Sequence, residues 1–161
     1  MIQARTKSAD DTRALAAELA PLTRAGDLIL LEGGLGAGKT AFVQGFARGL
    51  GVDETVTSPT FVLVRTYEGR LPMVHLDVYR LDRVQELVDL GIADILDEDG
   101  VTLIEWGDVV RPALPGDFLE VRLDPGATED ERIVQMRGVG PRWPHRLRAI
   151  QEAVERWTAA D

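Results

Sequence analysis

Apolar positions along this chain follow two rhythms. Near-unbroken runs, Leu28-Ile29-Leu30-Leu31 and Val101-Thr102-Leu103-Ile104, predict strands buried on both faces, as in a parallel sheet. Helical spacing recurs at Leu15, Leu19 and Leu22, at Phe42, Val43, Phe46, Ala47 and Leu50, and at Val84, Leu87, Val88 and Leu90. It returns at Trp143, Leu147, Ile150, Val154 and Trp157, predicting a last helix over about 143–158 with Pro144 at its start. Ser8-Ala9-Asp10-Asp11 predicts the cap of the first helix, and Gly51 the stop of the second. Phe61–Val64 with Pro72–Asp77 predicts a hairpin around Gly69, and Phe118–Leu123 with Arg132–Met136 a second one around Gly126. Strands interleaved with helices give an α/β class: a single mostly parallel central sheet flanked by helices, with an antiparallel hairpin portion. No linker or repeat interrupts the pattern, so one domain is expected over 1–161.

Composition narrows the function classes. A chain of 161 residues with 45% apolar content supports one core. No apolar run approaches the roughly 20 residues of a membrane span, and Met1 to Asp11 lacks the apolar region of a secretory signal, so a cytoplasmic location is expected. With no cysteine, disulfides, thiol catalysis and cysteine-ligated metals are excluded; with only His75 and His145, a multi-histidine metal centre is disfavoured. A net charge of −9 argues against binding along a nucleic-acid backbone, so any RNA connection would run through a partner. One segment stands apart, with Arg137, Arg142, Arg146 and Arg148 beside His145. It reads either as a solvated helix start or as a docking patch for RNA or an acidic partner.

The chemistry is announced between the first apolar run and the second helix. Gly33-Gly34-Leu35-Gly36-Ala37-Gly38-Lys39-Thr40 is a complete G-x-x-x-x-G-K-[ST] phosphate-binding loop (Walker A) in its strand–loop–helix context. Its backbone N–H groups and the helix dipole suit phosphate oxygens, Lys39 suits the β/γ-phosphates, and the Thr40 hydroxyl suits Mg²⁺. Lys39 is one of only two lysines in the chain. The fold class is therefore that of a P-loop NTPase. Hydrolysis also needs a metal acid, and two carboxylates close core strands: Asp77 after Met73-Val74-His75-Leu76, and Glu105 after Val101–Ile104. Thr57-Ser58-Pro59-Thr60 reads either as a polar turn entering a strand or as a switch that senses the γ-phosphate, with Ser58 and Thr60 as its hydroxyls. Trp106 reads as a core aromatic or a lid beside the nucleotide, and His75 as a satisfied buried histidine. The chain has no N-K-x-D sequence, which favours ATP over GTP.

Four blocks occur in order and at matching distances: Leu35–Thr40, Ser58-Pro59-Thr60-Phe61, His75-Leu76-Asp77-Val78-Tyr79-Arg80-Leu81 and Ile104-Glu105-Trp106. Together they resemble the TsaE (YjeE) family, bacterial ATPases of tRNA threonylcarbamoyladenosine biosynthesis, over about residues 8 to 136. The resemblance implies Mg²⁺-dependent ATP hydrolysis, weak alone and stimulated in a complex with TsaB and TsaD. There TsaD transfers the threonylcarbamoyl group to the adenosine beside the anticodon, and ATP turnover resets the complex. Carried over by position, Leu35, Gly36, Ala37, Gly38, Lys39 and Thr40 bind ATP. Thr40 and Glu105 are metal positions, Asp77 is an essential acid near the metal, and Trp106 lies near the nucleotide. The resemblance also favours the switch reading of Ser58 and Thr60. Gly34 stands where the family usually has Asp, and Ala41 where a second Thr is frequent; neither removes a ligand. The segment from Arg137 to Asp161 matches no family pattern.

Two rival functions use the same loop. A small-molecule kinase would need an acceptor pocket and an arginine-bearing lid, for which Arg80 and Arg83 are the nearby candidates. A non-hydrolysing nucleotide sensor would need neither Asp77 nor Glu105 for its work.

Overall fold

The apolar run after Asp27 becomes the central strand of one sheet. In the computed structural model the described residues are 1–34, 36–57, 64–77, 96, 98–105, 114 and 116–158. They contain seven strands: β1 (Ile2–Thr6), β2 (Leu28–Glu32), β3 (Val64–Glu68), β4 (Pro72–Asp77), β5 (Val101–Glu105), β6 (Phe118–Pro125) and β7 (Arg132–Val139). Their order across the sheet is β1-β7-β6-β2-β5-β4-β3. The four central strands β6, β2, β5 and β4 run parallel, and the outer pairs β3–β4, β6–β7 and β7–β1 run antiparallel. Every residue of β2 and β5 is buried, which is why both read as continuous apolar runs.

Residues two apart on a strand share a face, and the two faces carry separate cores. Ile29, Leu31, Met73, Val101, Leu103, Leu119, Val121, Leu123, Val134 and Met136 face the helices. Leu28, Leu30, Val74, Leu76, Ile104 and Phe118 form the core on the opposite face. The helices are α1 (Ala9–Leu19), α2 (Lys39–Gly49), α3 (Leu147–Ala153) and α4 (Glu155–Thr158), with a 3₁₀ turn at Ala20–Leu22. Ser8 caps α1 by accepting from the Asp11 N–H at 3.1 Å. Helices α1 and α2 approach so closely that a Cβ on Gly45 would overlap the Arg13 carbonyl, and one on Gly49 the Ala17 carbonyl.

Two expected elements shift in detail, and one strand is additional. Strand β1 falls on residues without an expected element; it pairs with β7 in the register Ile2↔Met136. The first hairpin pairs Val64–Glu68, rather than 61–64, with β4, and residues 61–63 lie outside the described set. The last helix starts at Leu147, after a turn over 143–146, and is divided at Val154. Trp143, Ile150, Val154 and Trp157 are nonetheless buried on one side, as their spacing required. The helix expected over 83–91 lies outside the described residues. Among the described residues, no helix is long and apolar enough to cross a membrane.

Candidate nucleotide site

The chain leaves β2 through Gly33 and enters α2 at Lys39. Strand β2 sits between β6 and β5, and the later strands are divided between its two sides. This is the switch point of an open α/β sheet, where ligands bind beyond the carboxyl ends of the strands. Gly33, Gly36 and Gly38 all have positive φ, at 147°, 76° and 103°. A Cβ on Gly33 would stand 2.6 Å from the Leu123 carbonyl oxygen, so this position admits only glycine without displacing β6.

The two long helices begin differently. The first turn of α1 is closed by the Ser8 side chain and carries Asp10 and Asp11. Helix α2 starts after Gly38, which has no side chain to cap it, and its first turn contains no acid. The leading N–H groups of α2 therefore have no side-chain cap from Gly38, and no carboxylate of the helix's own first turn offsets the positive end of the dipole. Lys39 is 5% exposed; its ammonium donates to the Gly33 carbonyl at 2.7 Å and the Gly34 carbonyl at 2.9 Å. Gly34 also accepts from the Ala37 N–H at 3.1 Å, which closes the loop on itself. Thr40, the second residue of α2, is half-buried.

On the β5 side stand the acids. Alternation places Asp77 in step with His75 and Met73, and Glu105 in step with Leu103 and Val101. Met73, Leu103 and Val101 belong to the core beneath the helices, so both carboxylates face the same side as α2. Asp77 and Glu105 are register partners at the ends of adjacent parallel strands, and Leu31, two residues before the loop, is the register partner of Glu105 on the other side. Both acids are buried. His75 is fully buried, and its Nε2 lies 2.6 Å from Glu105 Oε2. A carboxylate only accepts, so with Glu105 ionised the imidazole Nε2 is the donor.

Among the described residues no three His, Cys, Asp or Glu side chains gather into a metal cage. Mg²⁺ does not ask for one: it uses one or two protein oxygens and takes the rest from phosphates and water. Two buried carboxylates in register, across from a threonine at an uncapped helix start, fit that modest donor set.

On the β6–β7 side the loop meets Arg132, a residue the sequence reading did not single out. Its Nε donates to the Ala37 carbonyl at 3.0 Å and its Nη2 to the Gly36 carbonyl at 3.1 Å. The signal was present in the alternation: positions 132, 134 and 136 share a face, and the last two are buried core. Of the expected site residues, Gly36, Ala37, Gly38, Lys39, Thr40, Asp77 and Glu105 are brought to one end of the sheet. Leu35, Ser58, Thr60 and Trp106 lie outside the described residues, as do Arg80 and Arg83.

Of the four arginines over 137–148, one is buried and three are exposed. Arg146 is 5% exposed and grips Asp27 with both terminal nitrogens, at 2.6 and 2.7 Å, while lying 4.0 Å from the Trp143 ring centre. Arg142 donates to the carbonyls of Gly26 and Ala25, and Arg137 to Glu120. Arg148 is exposed beside Glu152 at 3.4 Å. Arg146 and Arg142 thus hold the turn before β2, whereas the Arg137 and Arg148 ion pairs lie at the surface.

Comparisons with known proteins point to one family. The family model described as "Threonylcarbamoyl adenosine biosynthesis protein TsaE" matches residues 6–134. The chain is 41% identical over 140 residues to the tRNA threonylcarbamoyladenosine biosynthesis protein TsaE of Bacillus subtilis, covering 86% of this chain and 87% of that one. It is 45% identical over 138 residues to the protein of the same name from Streptomyces coelicolor, covering 81% and 93%. The crystal structure of Bacillus subtilis YdiB superposes with a TM-score of 0.75 at 34% identity, covering 96% of this chain and 94% of that one. With the family model spanning most of its length, the chain belongs to the TsaE family.

Proposed function

We propose that this protein is a Mg²⁺-dependent P-loop ATPase that serves tRNA threonylcarbamoyladenosine biosynthesis by driving turnover of the modifying complex. The observation that carries the reading is the uncapped start of α2 behind Lys39, with Asp77 and Glu105 in register on the neighbouring strands. Backbone amides of the loop bind the β- and γ-phosphates of ATP, and Lys39 exchanges its loop carbonyls for phosphate oxygens. When bound, Mg²⁺ supplies neutralisation of charge on the transferring phosphoryl group, held by Thr40 and Glu105 with Asp77 beside them. His75 fixes the orientation of Glu105, and Asp77 or Glu105 orients the attacking water. Leu35 and Trp106 contact the nucleotide, and Ser58 and Thr60 form the switch.

The partners proposed are TsaB and TsaD, which complete the site and are the reason turnover is slow without them; tRNA is reached through that complex. The net charge of −9 and the engagement of Arg146 with buried Asp27 support a partner-mediated rather than a direct RNA connection. The protein is proposed to act in the cytoplasm, as one domain.

A tRNA-modification assay with Glu105→Ala and Asp77→Ala tests the reading. Loss of modification in both variants, with folding retained, is the expected result. Full modification by both would leave a nucleotide sensor and remove the ATPase; phosphate transfer from labelled ATP to a metabolite would reveal a kinase.

A further inference from the structure

The β6–β7 hairpin is bonded to the phosphate loop by the Arg132 side chain. Arg132 opens β7 and continues the inner face of Val134 and Met136, so its half-buried stem leaves the core edge where the loop passes. One side of the guanidinium holds the carbonyls of Gly36 and Ala37. Its Nη1 turns back to the carbonyls of Glu129 and Glu131 at 2.6 and 2.7 Å, within its own hairpin. The planar fork thus serves two loops at once, which a single ammonium point charge does not reproduce.

These bonds act on backbone orientation. In a trans peptide the carbonyl and the N–H point in opposite directions, and the described residues have no cis peptide. Holding the Ala37 carbonyl outward therefore turns the Gly38 N–H away from Arg132. Holding the Gly36 carbonyl outward likewise turns the Ala37 N–H, which closes on the Gly34 carbonyl. Both planes lie between glycines of positive φ, where the chain has its widest conformational freedom. A loop left to itself would lose that freedom on binding phosphate; a loop already held loses less.

We propose that Arg132 is a positioning residue of the nucleotide site, holding two successive peptide planes of the phosphate loop so that nucleotide affinity is set partly by the β6–β7 hairpin. The proposal rests on reading the loop as a nucleotide site, and its test separates the two. Equilibrium binding of fluorescently labelled ADP is measured for the full chain, Arg132→Ala, Arg132→Lys and Lys39→Ala, with thermal melting and amide hydrogen exchange over residues 33–39. Arg132→Ala is expected to weaken ADP binding about tenfold, the size of losing hydrogen bonds from a charged donor. Loop amides are expected to exchange faster in Arg132→Ala, and Arg132→Lys, with the charge but not the fork, to recover only part of the affinity. Should Arg132→Ala fail to fold, Arg132→Lys carries the test alone. ADP affinity within twofold of wild type, full recovery by lysine, or a lowered melting temperature with unchanged affinity and exchange would each overturn it. A wild-type chain that binds no ADP would refute the nucleotide reading itself and this proposal with it, whereas normal binding by wild type and Arg132→Ala alike would refute only the role of Arg132.

Discussion

His75 and Glu105 meet at 2.6 Å with both side chains buried, one on each of two adjacent parallel strands. The imidazole takes one oxygen of the carboxylate and leaves the other for a different partner. On the proposed reading Glu105 holds the metal, and removing the residue that orients a metal ligand weakens affinity or activity. His75→Ala is expected to lower ATP turnover about 10- to 100-fold and to raise the Mg²⁺ concentration needed for half-maximal rate. Titrating Mg²⁺ against the steady-state rate checks this; an unchanged Mg²⁺ dependence would show that Glu105 keeps its orientation without His75.

Asp27 and Arg146 form a buried bidentate pair at the entrance to β2. Removing one partner leaves the other charge buried. Asp27→Ala is expected to cost about 3–5 kcal/mol in a urea unfolding titration. Replacing both residues by apolar ones of similar volume should recover most of that loss, because the pair itself is worth little against good packing. ADP affinity at low denaturant should stay at the wild-type value, since the pair lies at the opposite end of β2 from the phosphate loop.

Gly45 lies in the middle of α2, where alanine would ordinarily stabilise a helix by about 1 kcal/mol. Here the added methyl meets the Arg13 carbonyl of α1, which is backbone and gives way poorly. Gly45→Ala is expected to destabilise by about 1–3 kcal/mol, read as a lower urea midpoint. A midpoint at or above wild type would mean that α1 shifts freely on α2.

The parts of the fold that were legible were those written locally. Leu28–Leu31, the glycine loop and the stripe through Phe42 and Phe46 lie in one stretch, and each predicts its own element. Asp77 and Glu105 were legible because each ends an apolar run. Their side-by-side register, by contrast, depends on pairing between strands some 28 residues apart, which no local pattern encodes. Strand β1 escaped notice because its buried positions are Ile2, Ala4 and Thr6, two of them weak as apolar signals. Its partner β7 is about 130 residues away. The arginines of 137–148 were ambiguous for a related reason. Whether a guanidinium faces solvent or Asp27 depends on where the chain end packs, and Arg146 had no marker of burial except its neighbour Trp143. Arg132 was hidden behind the same limit, since its partners are carbonyls, which every residue carries.

The most direct test of the central claim is ATP turnover by the purified chain, measured alone and with TsaB and TsaD, and scored beside tRNA modification in the same reactions. The account predicts slow hydrolysis alone, marked stimulation by the two partners, and loss of both hydrolysis and repeated modification in Lys39→Ala. Equal, fast turnover with and without the partners would contradict it, as would sustained modification by Lys39→Ala.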